Sequence, residues 1–217
     1  MRFRVGRPRV ALIVAPHPDD EVIGAAGLID LLMRRGTRVH VAIVSDGAAS
    51  HVVSRRWPRA RLVAERRRES RRALRRLGLG ANATTFLGLP DGDLSASAER
   101  CRRAIRREIA RYRHLDLIVG PATDDEHPDH RAVAAAISLS RAPARRVTYR
   151  VWPRDWAGRG TDRSIRVTGG WLAKRSLIGT YRTQLGAVRD DPAGFAIALH
   201  ELAAFAHPVE HYGERRR

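Results

Sequence analysis

Residues 10–21 read VALIVAPHPDDE, and the fold turns on them. The six residues VALIVA have no polar face, the pattern of a strand buried on both sides in a parallel sheet. HPDDE then opens an amphipathic segment, so a strand's carboxyl end passes here to a helix start. Pro18 is expected at the first helical position, where its missing N–H is no loss. A second stretch nearly repeats the first: LDLIVG at 115–120 is followed by HPDH at 127–130, with Pro128 in the same expected role. In open α/β sheets the carboxyl edge of the strands is where ligands bind.

Outward from these stretches, strand-like runs at 10–15, 39–44, 84–87 and 117–120 alternate with helical patterns at 20–35, 59–77, 96–112 and 131–140. That βαβα order predicts an α/β fold, a Rossmann-like three-layer sandwich with a mainly parallel sheet. Edge strands are expected at 147–152 and 164–168, and short helices at 170–185 and 192–205. The segment 154–162, rich in Gly and Asp, is expected to be a mobile loop at the rim of the site. A length of 217 residues without linker, repeat or low-complexity segment predicts a single domain over 1–217. A dinucleotide site is excluded, because HPDDEVIGAAG rather than G-x-G-x-x-G follows the first strand.

The paired motifs read as a metal site. Zn²⁺ takes imidazole nitrogen and carboxylate oxygen, and a catalytic zinc has three protein ligands with the fourth position left to water. His17, Asp20 and His130 supply that set: His17 and Asp20, three apart, are expected on one face of a helical first turn, and His130 enters from the neighbouring helix start. Asp19 remains as the general base beside the metal. His127, as an imidazolium at a helix N-terminus, is expected to stabilise an oxyanion or protonate a leaving amine, with Asp129 orienting it. Taken singly, each His-Pro-Asp is also an ordinary helix cap.

The residues APHPDDE (15–21) and HPDH (127–130) resemble the paired signature of the LmbE-like, or PIG-L, N-deacetylases. VSDG (44–47), an R-x-x-E pair formed by Arg66 and Glu69, FLGLPDG (86–92) and YRTQ (181–184) resemble further family elements in the same order. The resemblance implies hydrolysis of N-acetyl groups, most often from N-acetylglucosaminyl conjugates. It also implies one Zn²⁺ on His17, Asp20 and His130, with Asp19 as base and His127 as oxyanion or acid residue. Arg66 and Asp91 fall where relatives hold sugar hydroxyls; alternatively Arg66 belongs to a solvated arginine-rich face and Asp91 to a plain Asp-Gly turn. Glu21 either braces a ligand or enriches a helix first turn in acid. Asp125 stands where some members carry an oxyanion-binding Tyr. The chain also lacks the long C-terminal extension of mycothiol-type enzymes, so a shorter class acting on another glycoside is expected.

A formal net charge of +18 comes from 41 Lys plus Arg against 23 Asp plus Glu, and Lys174 is the one lysine. An almost all-arginine basic set is the mark of a GC-rich genome, and no nucleic-acid-binding motif accompanies it. No specific nucleic-acid partner is therefore expected; the charge would suit an acidic or lipid-linked sugar as a minority reading. Cys101 is alone, no signal peptide or membrane span is evident, and a cytoplasmic enzyme is expected, with room for a homo-oligomer. Glu210 or His211, in the HPVEHY segment at 207–212, are candidates to line the pocket. Two rival readings stay open: an amidase of a thiol or glycolipid conjugate, and a non-catalytic basic binding module with a vestigial metal site.

Overall fold

The structure is a computed structural model that describes residues 3–152 and 163–214; the expected loop at 154–162 lies outside the described residues. Seven strands form one sheet: β1 (Val10–Ala15), β2 (Arg38–Ser45), β3 (Thr84–Leu89), β4 (Leu117–Pro121), β5 (Arg145–Tyr149), β6 (Arg163–Arg166) and β7 (Val209–Glu214). Their order across the sheet is β3-β2-β1-β4-β5-β7-β6. β1 to β5 pair in parallel, while β7 runs antiparallel to both β5 and β6. The mainly parallel Rossmann-like sheet expected from the chain order is thus present, with one strand the sequence reading did not anticipate.

The β1 side chains show why the fold has three layers. Ala11, Ile13 and Ala15 join one apolar cluster with Leu28, Ile29, Ala73 and Leu74, whereas Leu12 and Val14 join another with Cys101, Ile105, Val133 and Ile137. Successive residues of a strand point to opposite faces, so one apolar run feeds both cores. The first core is covered by α2 (Ala26–Arg34) and α3 (Arg59–Arg76), the second by α4 (Ala98–Ala110) and α5 (Pro128–Ser138). Leu12, Ile13, Leu28 and Ile29 are fully buried, each contributing about 1.5–3 kcal/mol relative to exposure.

Three expected elements come out differently. The helix foreseen at 20–35 is broken into α1 (Asp20–Ile23) and α2. Gly24 sits at the break against the Tyr149 ring, where a Cβ would lie 2.1 Å from Tyr149 Cδ2. The segment 170–185 is α6 (Gly170–Ile178) followed by a 3-10 turn, Arg182–Gln184, and of 192–205 only α7 (Leu199–Phe205) is helical. No helix among the described residues is long and apolar enough to cross a membrane.

Candidate active site

At the carboxyl edge of β1 the chain makes a tight turn instead of entering a helix directly. Asp20 is the first residue of α1, Asp19 is its N-cap, and Pro18 lies ahead of the cap rather than at the first helical position. The His17 backbone N–H donates to Asp20 Oδ2 at 2.9 Å. His17 and Asp20 are therefore brought together by a turn closed by a side chain, not by sharing a helix face. Asp19 has φ 129°, the one non-glycine positive φ among the described residues, a conformation that L side chains adopt at a cost of about 1–3 kcal/mol. After β4 the second motif behaves as expected: Pro128 opens α5, and His127 is its N-cap, with Nδ1 accepting from the Asp129 N–H.

The two turns bring three donor atoms together. His17 Nδ1, Asp20 Oδ2 and His130 Nε2 lie 3.2 Å from one another along all three sides. A tetrahedral zinc with ligands at about 2.0–2.2 Å needs neighbouring donors about 3.3–3.5 Å apart, so this triangle fits one face of such a site. Two further groups, His17 with His127 and His130, and His17 with Asp91 and Asp129, have donors within 4.8 Å of one another. The 3.2 Å triangle is the tighter match to tetrahedral geometry.

The outer nitrogens of both imidazoles face carboxylates. His17 Nε2 lies 3.2 Å from Asp91 Oδ1 and 3.4 Å from Asp129 Oδ2. His130 Nδ1 is 3.1 Å from Asp125 Oδ2, an ion-pair distance reached off the ideal hydrogen-bond line. A carboxylate on the far nitrogen fixes the tautomer and turns the other lone pair inward, the arrangement a metal-binding imidazole requires. Burial acts to lower the His17 pKa, but Asp129, Asp20 and Asp91 outweigh it and raise it well above the ordinary value. His130 is likewise pushed up to about 9, burial being overcome by Asp20 and Asp125. Burial disfavours the Asp20 carboxylate, yet the two imidazoles hold it ionised far below the usual range. Four aspartates thus converge on two histidines in a chain of net charge +18. Lone pairs that hold protons so firmly are the ones a divalent cation competes for.

Asp19 is held from three sides. Its backbone N–H donates to Glu21 Oε2 at 2.9 Å, and Glu21 Oε1 accepts from Tyr181 Oη at 2.7 Å. Its carboxylate accepts from Gln184 Nε2 at 3.1 Å and lies 3.6 Å from Arg66 Nη2. Burial, with repulsion from Asp20, pushes Asp19 up to about 7 despite the Arg66 charge. Arg66 itself is buried among the exposed arginines of α3 and donates to the carbonyls of Gly47 and Pro18. Gly47 has φ 70°, and a Cβ there would lie 2.5 Å from the guanidinium, which is why the VSDG stretch ends in glycine. Glu69, one turn along α3, accepts from the N–H and hydroxyl of Thr183 and so holds the 3-10 turn that carries Gln184.

The remaining candidates are placed as follows. Asp91 Oδ2 accepts from the Ala49 N–H at 2.9 Å, so that carboxylate bridges a loop to His17. Asp129 meets His127 through its backbone N–H; its carboxylate accepts from Gly92 and Leu94 N–H at 2.9 and 3.0 Å. His127 is expected as an imidazolium; burial, then the charges of His17 and His130, act against that form by lowering its pKa, and Nδ1 accepts the Asp129 N–H, which leaves Nε2 as the donor nitrogen. Its ring centroid lies 4.8 Å from those of both His17 and His130. Glu210 is absent from the pocket lining: it accepts from the Gly27 N–H at the start of α2 and pairs with buried Lys174 at 2.8 Å. His211, on the same strand, does not line the pocket either. The sequence reading assigns no role to Asp125 or Gln184: Asp125 draws notice there only where some relatives carry a tyrosine, and Gln184 only as the end of the YRTQ element.

These groups line a cavity of about 300 Å³. Its polar lining is His17, Asp19, Asp20, Ser50, Arg66, Asp91, His127, His130 and Gln184, and the rest is mainly apolar, with Ile23, Val151, Trp152, Phe195, Ile197 and Phe205.

The buried Asp19 carboxylate, the His127 imidazole and the triangle of His17, Asp20 and His130 donors meet at the carboxyl edge of the parallel sheet. The chain belongs to the PIG-L family, described as GlcNAc-PI de-N-acetylase, whose model matches residues 12–139. It is 28% identical over 195 residues to 2′-N-acetylparomamine deacetylase of Streptomyces fradiae, covering 82% of this chain and 69% of that protein. Among solved structures, N,N′-diacetylchitobiose deacetylase from Pyrococcus horikoshii superposes with a TM-score of 0.62 at 20% identity, over 84% of this chain and 74% of that one. The zinc-inhibited form of teicoplanin deacetylase Orf2 does so with a TM-score of 0.69 at 18% identity, over 94% and 96%. At these identities the structural matches bear on the fold alone.

Proposed function

We propose that the chain is a zinc-dependent hydrolase that removes an N-acetyl group from a small amino-sugar conjugate, such as an N-acetylglucosaminyl derivative. The observation that carries this reading is the triangle of His17 Nδ1, Asp20 Oδ2 and His130 Nε2, 3.2 Å on each side, next to the buried Asp19 carboxylate. The S. fradiae relative, named for an N-acetylated amino sugar, supports the substrate class.

His17, Asp20 and His130 would hold the ion, and bound Zn²⁺ would polarise the amide carbonyl and lower the pKa of water. Asp19 takes one proton from the attacking water as its oxygen adds to the carbonyl carbon. The His127 Nε2–H donates to the oxyanion that forms. Asp19 then returns the proton to the amide nitrogen as the C–N bond breaks, releasing acetate and the free amine. Arg66 and Gln184 keep the Asp19 carboxylate ionised and aimed, and Asp125, Asp91 and Asp129 keep the two ligand imidazoles in one tautomer. Arg66 and Asp91, both lining the cavity, are also the side chains we assign to the sugar hydroxyls.

The test is amine release from N-acetylglucosaminides, followed by mass spectrometry, with chelated protein beside protein reloaded with zinc, cobalt or iron. Affinity alone does not choose among these metals. Loss of one acetyl mass that chelation abolishes and zinc restores best is the expected result. Turnover indifferent to chelation overturns the metal reading.

A further inference from the structure

A second cavity, of about 260 Å³, lies at the amino edge of the sheet, opposite the catalytic one. Its walls come from the segment leading into β1 and from the starts of β4 and β5, and they carry Arg7, Arg9, Arg145 and Asp116. No residue lines both cavities. β1, six residues long, separates the two edges by about 20 Å at roughly 3.3 Å per residue.

Hydrogen bonds within the fold decide which charges face a ligand here. Asp116, the one carboxylate in the lining, is already engaged: its Oδ2 accepts from the Arg9 and Val10 N–H groups at 2.7 and 3.0 Å. The Val10 N–H first, then the Arg9 N–H and charge, hold its carboxyl below the ordinary range, so it stays ionised and offsets one of the three arginines. Arg145 is clamped, with Nη1 donating to the Val5 carbonyl at 2.9 Å and Nη2 to the Arg4 carbonyl at 3.0 Å; Nη2 also pairs with Glu214, which lies 3.4 Å from Arg163 Nη1 as well. Arg7 and Arg9 are exposed, and among the described residues neither guanidinium has a hydrogen bond or ion pair. The segment that carries them is nevertheless fixed: the carbonyls of Gly6, Pro8 and Arg9 each accept at 2.8 Å, from Arg35 Nη1, Thr37 Oγ1 and the Arg38 N–H. Those bonds bring two more exposed arginines, Arg35 and Arg38, to the same edge. A genome's preference for arginine accounts for the number of these residues and not for two unpaired guanidiniums lining one concavity. A cleft lined by one sign of charge focuses its field on an incoming counter-ion, and the guanidinium fork matches the oxygens of a phosphate group.

We propose that the amino-edge cavity is a phosphate-binding site separate from the catalytic cavity, with the Arg7 and Arg9 guanidiniums donating to the phosphate oxygens and the clamped Arg145 adding its charge. It does not depend on the deacetylase reading, since none of its residues belongs to the catalytic machinery.

The experiment is calorimetric titration of the full chain with inorganic phosphate at low ionic strength. It is repeated on the double variant Arg7→Gln with Arg9→Gln and on a charge-matched control, Arg100→Gln with Arg103→Gln, two exposed arginines of α4. All four side chains are exposed, so thermal midpoints should stay at the wild-type value. One phosphate per chain is expected, its Kd weakened about tenfold or more in the Arg7 and Arg9 variant and less than about twofold in the control, whose charges are largely screened from the cavity. No saturable phosphate binding, or equal weakening in both double variants, overturns the site. So does a Kd indifferent to Arg7 and Arg9, the result for phosphate held in the catalytic cavity. Sedimentation with phosphatidate and phosphatidylcholine vesicles then names the source of the phosphate. Retention on phosphatidate that free phosphate reverses assigns a lipid headgroup, and absence of retention assigns a soluble phosphate ester; either upholds the site.

Discussion

The two His-Pro-Asp motifs are near copies in sequence and differ in backbone. In the second, Pro128 starts an 11-residue helix, His127 caps it, and Asp129 is a helical residue whose carboxylate secures the Gly92–Leu94 loop. In the first, α1 is four residues long, the N-cap makes no side-chain capping bond, and Asp19 is forced to φ 129° with its carboxylate buried. In the proposed mechanism a relaxed helix start supplies one ligand and the oxyanion donor, and a strained turn supplies two ligands and the base. Strain at an observed outlier points to function, and here it falls on the residue whose carboxylate has its pKa pushed up to about 7.

Substitutions that exchange these roles test the difference. His130→Ala opens the triangle from the relaxed motif, and with a ligand gone turnover should fall below detection in the amine-release assay; near-normal turnover would show that the second motif is not part of the site. Asp19→Gly and Asp129→Gly change the same motif position and should move stability in opposite directions. Asp19→Gly relieves the φ and the buried carboxylate, raising stability by about 1 kcal/mol or more while lowering kcat by about a hundredfold to ten-thousandfold. Asp129→Gly leaves the Gly92 and Leu94 N–H groups unsatisfied at about 1–3 kcal/mol each, so its thermal midpoint should drop. Parallel shifts in the two midpoints would show that the two motifs carry the same backbone load. His127→Ala removes a single oxyanion donor and should cost about a hundredfold to a thousandfold in kcat with zinc affinity kept. Asp125→Asn weakens the support of His130 and should lower zinc affinity by about tenfold to a hundredfold, measured by competition with a chromogenic chelator.

The smallest effect is a pH shift. Asp19 accepts a proton only when ionised, and its folded pKa is raised to about 7, so kcat falls as pH drops through that value. A bound dication lowers the limb further, placing it at or below about 7 in the loaded enzyme. Arg66 is the protein charge that opposes the rise; Arg66→Met should therefore move the acid limb upward. A limb that stays in place would mean that Arg66 does not stabilise the carboxylate.

The parallel core and the meeting of the two His-Pro-Asp motifs were legible because VALIVA and LIVG have no polar face and because each motif follows the carboxyl end of such a strand. β7 was not. Its inward positions are Glu210 and Tyr212, and burying a glutamate requires Lys174, the Gly27 N–H and the Tyr212 hydroxyl, all remote in sequence except the last. Hydrophobic periodicity cannot register a strand whose buried face is an ion pair. The backbone of Asp19 was hidden for a related reason: Glu21, Tyr181, Arg66 and Gln184 hold it from three separate segments. Arg66 illustrates the limit most plainly: the R-x-x-E resemblance singles it out, whereas hydrophobic periodicity does not mark it among the arginines of α3 as the one that turns inward.

In the proposed mechanism one cation site is built jointly by a strained turn and a relaxed helix start. Equilibrium dialysis with ⁶⁵Zn of wild type, Asp19→Gly, Asp20→Ala and His130→Ala measures it directly. One tightly held zinc per chain in wild type and Asp19→Gly, and none in Asp20→Ala or His130→Ala, is the expected result. Zinc retained at wild-type affinity in both ligand variants would contradict it.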